Sequence, residues 1–141
     1  MKNSEILTTT QDPNRSEANI QQSIVRYYRN TFCLTHHTPR CMIFSIPNEG
    51  RAMASAGLIA TGLYPGCADL QIIHRVSKYR FGPVLPIPIF FEVKRPGAVT
   101  GPRKNGQSEN QIAFEDHCKQ MGIGYHVVTS LEQFMEIVGN L

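Results

Sequence analysis

The chain has 141 residues, 41% of them hydrophobic and 18% charged, with a formal net charge of +3; it suits one domain with a sizeable core and excludes a disordered chain. No apolar run reaches the roughly 18 residues of a membrane span, and residues 1–15 are polar without the apolar core of a signal peptide. We therefore expect residues 1–15 to be disordered and residues 16–141 to form one domain of a soluble, cytoplasmic protein.

The first part of the chain predicts two helices with a strand between them. A helix begins at Ser16 and carries one apolar stripe at helical spacing. Residues 41–46 are typical of a buried strand, and residues 47–50 of a turn. Residues 51–62, rich in Ala and Gly, predict a second helix that packs closely against a sheet. The stripe of the first helix consists of Ile20, Ile24, Tyr27 and Tyr28.

The middle of the chain predicts two strands, residues 68–76 and 87–94. The basic connection between them, residues 77–86, has no helical pattern, so the two strands are expected to form an antiparallel hairpin. Pro86 and Pro88 are expected to limit pairing at the start of the second strand, because proline cannot donate to a ladder.

The last part contains two Ser-x-x-Gln segments, residues 108–111 and 130–133, and each is typical of a capping box. They open helices over residues 108–121 and 130–138, with a short strand over residues 124–129 between them. The resulting order, α-β-α-β-β-α-β-α, predicts a single α/β domain in which helices flank a mixed central sheet.

Two carboxylates and a lysine are expected to converge on the central hairpin. Period two places Glu92 and Lys94 on one face of their strand, and Asp69 can reach them if the strands pair. A buried carboxylate needs a cation, and two carboxylates with carbonyls and waters suit Mg²⁺ or Mn²⁺. Such a metal could support phosphodiester hydrolysis. A Glu–Lys ion pair on the sheet surface explains the same pattern.

Charge is distributed unevenly along the chain. Residues 70–105 contain seven Lys and Arg and one acid, whereas residues 106–141 contain one cation and five acids. A basic middle is typical of a polyanion binder, although solvated loops also collect cations. The candidate phosphate contacts are Arg95, Arg103, Lys104, Lys78 and Arg80.

Cysteine and histidine suggest one further hypothesis. Cys33, His36, His37 and Cys41 could hold zinc and make the chain a zinc-dependent interaction protein, but structural zinc sites usually use tighter paired spacings. The alternative is a histidine-containing loop between two ordinary free thiols. We expect His74, His117 and His126, which occur singly, to be structural.

Several of these motifs together resemble the virus-type replication-repair nuclease (VRR-NUC) family of the PD-(D/E)XK superfamily. The resemblance covers about residues 16–138. Ala68 stands where the family usually has proline, and the interval between Asp69 and Glu92 is long. The matching motifs are Pro65-Gly66-Cys67-Ala68-Asp69-Leu70, Phe91-Glu92-Val93-Lys94, Gln111, Glu17, Pro47-Asn48-Glu49-Gly50 and residues 124–130.

The resemblance implies a restriction-endonuclease-like fold and a role for each matching residue. Asp69, Glu92 and the Val93 carbonyl would bind Mg²⁺ or Mn²⁺, and Lys94 would be the catalytic lysine. Glu17 would approach the metal directly or through water, although an acid in a first helical turn also favours the helix dipole.

Gln111 is the remaining residue to which the resemblance gives a role. It would orient Lys94 or the substrate phosphate. Its place in the capping box of residues 108–111 suggests a purely structural role, and the two roles would compete for one side chain.

The resemblance also implies a function. Small members of the family resemble virus-encoded resolvases, as found in phage, and act as homodimers on branched DNA such as Holliday junctions. We therefore expect a metal-dependent, structure-selective DNA endonuclease. The alternatives are a nicking or restriction-type nuclease without junction preference, and a nuclease-fold module that binds DNA without cutting it.

Overall fold

The computed structural model describes residues 16–47, 56–77, 81–99 and 106–141. They form an α/β domain in which helices cover a four-stranded mixed sheet of order β1-β2-β3-β4, so the predicted coarse class is confirmed. The elements are α1 (Glu17–Phe32), β1 (Met42–Ser45), α2 (Ala56–Ala60), β2 (Leu70–Ser77), β3 (Val84–Val93), a short 3-10 helix (Pro96–Val99), α3 (Glu109–Met121), β4 (Gly124–Val128) and α4 (Leu131–Gly139).

One face of the sheet packs against α1 and α4. The predicted stripe of α1 is confirmed: Ile20, Ile24 and Tyr28 are buried, and Tyr27 packs at the margin of the same core. Alternate residues of the strands point towards this face, as period two requires. The strand and α4 members of this core are Ile43, Leu70, Ile72, Ile89, Phe91, Val93, Val128, Phe134 and Val138.

The other face of the sheet packs against α3. Phe114 and Cys118 of α3 are buried together with Ala68 and Tyr125, and Phe90 packs against this cluster. Even-numbered residues of β3 therefore face α3. This alternation directs the side chains of Glu92 and Lys94 to the face on which α3 begins.

The central hairpin is antiparallel, as predicted, and β3 pairs with β4 in parallel. The prediction that Pro86 and Pro88 limit pairing is wrong, because β3 begins at Val84 and both prolines pair with β2. Lys94 N donates to Val128 O, on the side of β3 where β4 lies. Every second residue of a strand directs its backbone nitrogen to the same side, so the nitrogens of Pro86 and Pro88 also point to that side and away from β2. β4 pairs only from Ile89 onwards, and no ladder bond is lost.

Other predictions differ in detail from the structure. Of the predicted helix 51–62, residues 56–60 form α2, and residues 51–55 lie outside the described ranges, as do residues 1–15 and most of the 47–50 turn. Ser130 caps α4, but Gln133 Oε1 accepts from Thr129 N at 2.7 Å and does not reach back to Ser130. No helix in the described part of the chain is both long and apolar enough to cross a membrane.

Candidate active site

The two predicted carboxylates lie side by side at one end of the sheet. Leu70 pairs with Phe91, so the same register places Asp69, directly before β2, opposite Glu92. Asp69 Oδ2 accepts a hydrogen bond from Val93 N at 2.8 Å. Glu92 is 2% exposed, because it lies one residue before the end of a strand that is covered on both faces. The hairpin therefore fixes both carboxylates and the Val93 backbone in one small region.

Lys94 and Gln111 complete this cluster. Lys94 Nζ lies 3.5 Å from Glu92 Oε1 and donates to Gln111 Oε1 at 3.2 Å. Gln111 Nε2 donates to Glu92 Oε1 at 2.6 Å. The Lys94 side chain is 14% exposed, so it is held in place and still open on one side. We use the name carboxylate cluster for Asp69, Glu92, Lys94 and Gln111.

The expected competition between two roles of Gln111 does not occur. Ser108 N donates to Gln111 Oε1 at 2.8 Å, which closes the capping box of α3. The same oxygen accepts from Lys94, and the amide nitrogen donates to Glu92. A carbonyl oxygen has two lone pairs and a side-chain amide two N–H groups, so one side chain caps the helix and joins the carboxylate cluster at once.

The electrostatics of the site favour the binding of a proton or a cation at the two carboxylates. Burial, reinforced by the negative charge of Asp69, raises the pKa of Glu92 to about 8. Burial also raises the pKa of Asp69, although the Val93 amide and Lys94 oppose that shift. The two carboxylates therefore resist being charged together unless a positive ion joins them.

One oxygen of Glu92 lacks a partner. Oε1 contacts both Gln111 and Lys94, whereas Oε2 is buried and has no hydrogen-bond donor among the described residues while Glu92 is charged. Such an atom costs about 1–3 kcal/mol unless a proton, water or ion satisfies it. A proton on Glu92 would let it bond the Asp69 side chain. Two adjacent carboxylates are hard-oxygen donors of the kind that Mg²⁺ and Mn²⁺ prefer. The donor set therefore fits a divalent cation.

Glu17 approaches the cluster from α1. It occupies the first turn of that helix, and its Oε1 accepts from Arg95 N at 3.4 Å. Its charge helps to raise the pKa of both Asp69 and Glu92. Within the described ranges, no three His, Cys, Asp or Glu side chains converge into a metal-holding group. Glu17 is nevertheless close enough to act electrostatically on both carboxylates.

A glycine that the sequence pattern marks only as a turn residue positions α3. Gly66 has φ +82°, and a Cβ there would overlap the carbonyl group of Asn110 and lie 2.7 Å from Gln111 N. The Pro65-Gly66 turn therefore touches the first turn of α3 directly. This contact sets how closely Gln111 approaches the sheet, and so where its amide lies.

A buried polar network behind the cluster was not predicted. Gln107 is fully buried, and its Nε2 donates to Glu115 Oε1 at 3.0 Å and to Tyr125 Oη at 3.2 Å. These bonds anchor the residue that precedes Ser108. A single glutamine in a loop gives no sequence signal for such a role, because its partners come from α3 and β4.

The remaining candidates fall into two groups. Arg95 is exposed, and only its backbone contact with Glu17 is defined. The candidate phosphate contacts Lys78, Arg80, Arg103 and Lys104 lie outside the described residues.

The hypothetical zinc ligands are not brought together as a group. His37 Nδ1 lies 3.1 Å from Phe32 O, and Cys41 Sγ lies 3.9 Å from His74 Nδ1. His74 Nδ1 also bonds Tyr28 Oη at 2.8 Å in the core. His117 Nδ1 bonds Tyr64 Oη at 2.8 Å.

Comparison of the chain with protein-family models, with curated proteins and with solved structures finds no match in any of the three.

Proposed function

We propose that the chain is a divalent-metal-dependent endonuclease of the restriction-endonuclease-like type that hydrolyses phosphodiester bonds in DNA. The observation that carries the proposal is Glu92, a carboxylate 2% exposed with one unpartnered oxygen, beside a second carboxylate and a lysine. A surface ion pair, the alternative explanation of the Glu-x-Lys pattern, would not need this burial. The resemblance to VRR-NUC nucleases supports the same chemistry.

The residues of the site would have two roles, metal binding and stabilisation of negative charge on the phosphate. Asp69, Glu92 and the Val93 carbonyl would hold Mg²⁺ or Mn²⁺, and Glu17 would approach the cation directly or through a water molecule. The cation, when bound, would polarise the phosphate and lower the pKa of the attacking water. Asp69 is oriented for this task by its bond with Val93 N.

Lys94 is the group that would meet the scissile phosphate. Gln111 Oε1 and Glu92 Oε1 fix its ammonium at 3.2 and 3.5 Å. A fixed positive charge there would stabilise the negative charge that accumulates on the phosphate oxygens and would orient the attacking water. Gln111 acts through Lys94 and Glu92 and is a positioning residue.

Branched DNA, such as a four-way junction, is the substrate class that we propose. Two copies related by a two-fold axis would provide a wider surface and two sites that match the symmetry of a junction. The proposed homodimer rests on this argument and on the resemblance.

The test is a cleavage panel of labelled four-way junction, flap and linear duplex DNA with Mg²⁺, Mn²⁺ or EDTA. We expect cation-dependent cutting of the junction. Lys94→Ala and Asp69→Asn should reduce cutting by at least about 100-fold, the loss typical when a transition-state-stabilising group is removed. Lys119→Ala, an exposed cation of α3 that pairs with Glu115, is the matched control and should cut normally.

Any other result of the cleavage panel would change one part of the proposal. Cutting of linear duplex without junction preference would support a nicking or restriction-type nuclease with the same site. Binding of DNA without any cutting by folded protein would support a non-catalytic module. Full activity of Lys94→Ala would overturn the role assigned to that lysine.

A further inference from the structure

We propose that the groove between α1 and β1, the edge strand of the described sheet, binds the phosphate backbone of the DNA strand next to the cleavage site. This inference rests on the proposed function and adds to it the path of the substrate. Arg95, the candidate phosphate contact that lies among the described residues, is not in the lining of this groove.

The groove is a sizeable cleft with a positive lining. Its volume is about 660 Å³. The lining contains two arginines and three side-chain amides and no carboxylate. It consists of Ala18, Gln21, Gln22, Val25, Arg26, Arg29, Asn30, Phe44 and Ser45.

A second cleft continues the first at Arg29. It has a volume of about 320 Å³ and adds Arg40, again without a carboxylate in its lining. Arg26, Arg29 and Arg40 are exposed, and none forms a salt bridge with an acid in the described part of the chain. A surface with several cations close together and no acidic partner is typical of a site that binds a polyanion. These three arginines form such a surface.

The near end of the groove lies at the carboxylate cluster. Ala18 in the lining directly follows Glu17, whose carboxylate bonds Arg95 N just beyond Lys94. On the strand side, Ser45 in the lining precedes Ile46, whose N donates to Asp69 O at 2.9 Å. Both walls of the groove therefore begin beside the proposed metal ligands.

The spacing of the arginines matches a nucleic acid backbone. Arg26 and Arg29 follow Glu17 by nine and twelve residues in the same helix, about 14 and 18 Å at ~1.5 Å per residue. At ~3.4 Å per nucleotide along a duplex strand, they would lie about four and five nucleotides from a scissile bond held beside Glu17. Arginine binds phosphate through two parallel N–H groups, and the amides can donate to further phosphate oxygens.

The test measures DNA binding separately from cutting. Fluorescence anisotropy of labelled DNA in EDTA, over a range of salt concentrations, compares the wild type with the double variant Arg26→Gln/Arg29→Gln. The matched control is Lys119→Gln, an exposed cation on α3. Both variants alter exposed residues, so circular dichroism should report an unchanged fold.

We expect the double variant to lose two phosphate contacts. The slope of log K against log salt should decrease by about 1.4 to 1.8, and affinity at ~0.1 M salt should fall by about 25- to 60-fold. In Mg²⁺, KM should rise while kcat stays within about twofold, because the arginines lie away from the reacting atoms. Shortening the substrate to fewer than about four nucleotides on one side of the cut should abolish the difference between variant and wild type.

The failures of the inference and of the proposed function differ. Wild-type protein that cuts DNA, with a double variant of unchanged slope and KM, would overturn the inference alone. Wild-type protein that neither binds nor cuts any DNA would overturn both. A double variant that binds DNA normally but loses binding to polyglutamate would assign the groove to an acidic protein segment and would also overturn the inference.

Discussion

The starts of α3 and α4 share one sequence pattern and use it differently. Each helix begins with Ser-x-x-Gln, and in each the serine hydroxyl accepts from the glutamine backbone N–H at 3.2 Å. In α3 the Gln111 side chain also reaches Ser108, Lys94 and Glu92. In α4 the Gln133 side chain is exposed and bonds only Thr129 in the contacts defined for it.

The difference shows what a local pattern can and cannot specify. A capping serine is determined by the first turn of its own helix, so both helix starts could be predicted from sequence. The second use of Gln111 depends on which strand lies against the helix start. The turn at Gly66 brings the start of α3 against the sheet end that carries Glu92.

The largest expected effect comes from separating α3 from that turn. Gly66→Ala places a Cβ against the Asn110 carbonyl group and adds an L-residue at φ +82°. Overpacking and left-handed strain together should lower the free energy of unfolding by about 2–5 kcal/mol. Gly122→Ala is the matched control: its φ is +72°, but nothing lies near its Cβ position. It should cost only about 1–2 kcal/mol.

Urea unfolding of both variants checks this comparison. Equal losses at the two glycines would mean that the contact between the Gly66 turn and α3 contributes nothing beyond backbone strain. The position of Gln111 would then need another explanation.

The second prediction, of intermediate size, separates the two roles of Gln111, which caps α3 and also contacts Lys94 and Glu92. Gln111→Glu keeps an oxygen that can accept from Ser108 N, as in a common capping box, but removes the amide donor to Glu92 and adds a negative charge beside it. The rate at which the preferred DNA is cut should fall by about 10- to 100-fold. The affinity for Mn²⁺, measured by calorimetry, should change as well. Gln133→Glu should change neither by more than about twofold, because Gln133 contacts no residue of the carboxylate cluster. Equal effects of the two substitutions would refute the distinction.

Period-two reasoning anticipated three members of the cluster, Asp69, Glu92 and Lys94, whereas Gln111 and its link to Lys94 came from the resemblance. The faces of β3 follow from alternation, so Glu92 and Lys94 could be grouped from sequence, and Asp69 followed from the hairpin. The bridge through Gln111, the support from Gln107 and the pairing of Pro86 and Pro88 depend on neighbours distant in sequence or on the edge left free by β4. No periodicity encodes these. The roles assigned to the cluster in catalysis stay predictions.

The last prediction concerns the protonation of Glu92, the group that Gln111 contacts and Gln133 does not. The raised pKa of Glu92, about 8 against an ordinary 4.5, means that the native state keeps a proton that the unfolded chain has already lost. Between these values the unfolded state binds fewer protons at this group, so the contribution of Glu92 to the free energy of unfolding decreases as pH rises from about 4.5 to about 8. Glu92→Gln should remove this part of the decrease, a difference on the order of a few kcal/mol at the upper end. The raised pKa of Asp69 has the same sign, so a smaller decrease should remain.

Urea unfolding across this pH range, with and without Mn²⁺, provides the measurement. A cation that binds only the native protein adds stability, and it competes with the proton on Glu92, so its contribution should increase with pH in the wild type. Gln133→Glu should follow the wild type in both series. A wild-type profile with the same slope as that of Glu92→Gln over this range would show that Glu92 ionises normally despite its burial, and the argument that its unpartnered oxygen requires a cation would then fail.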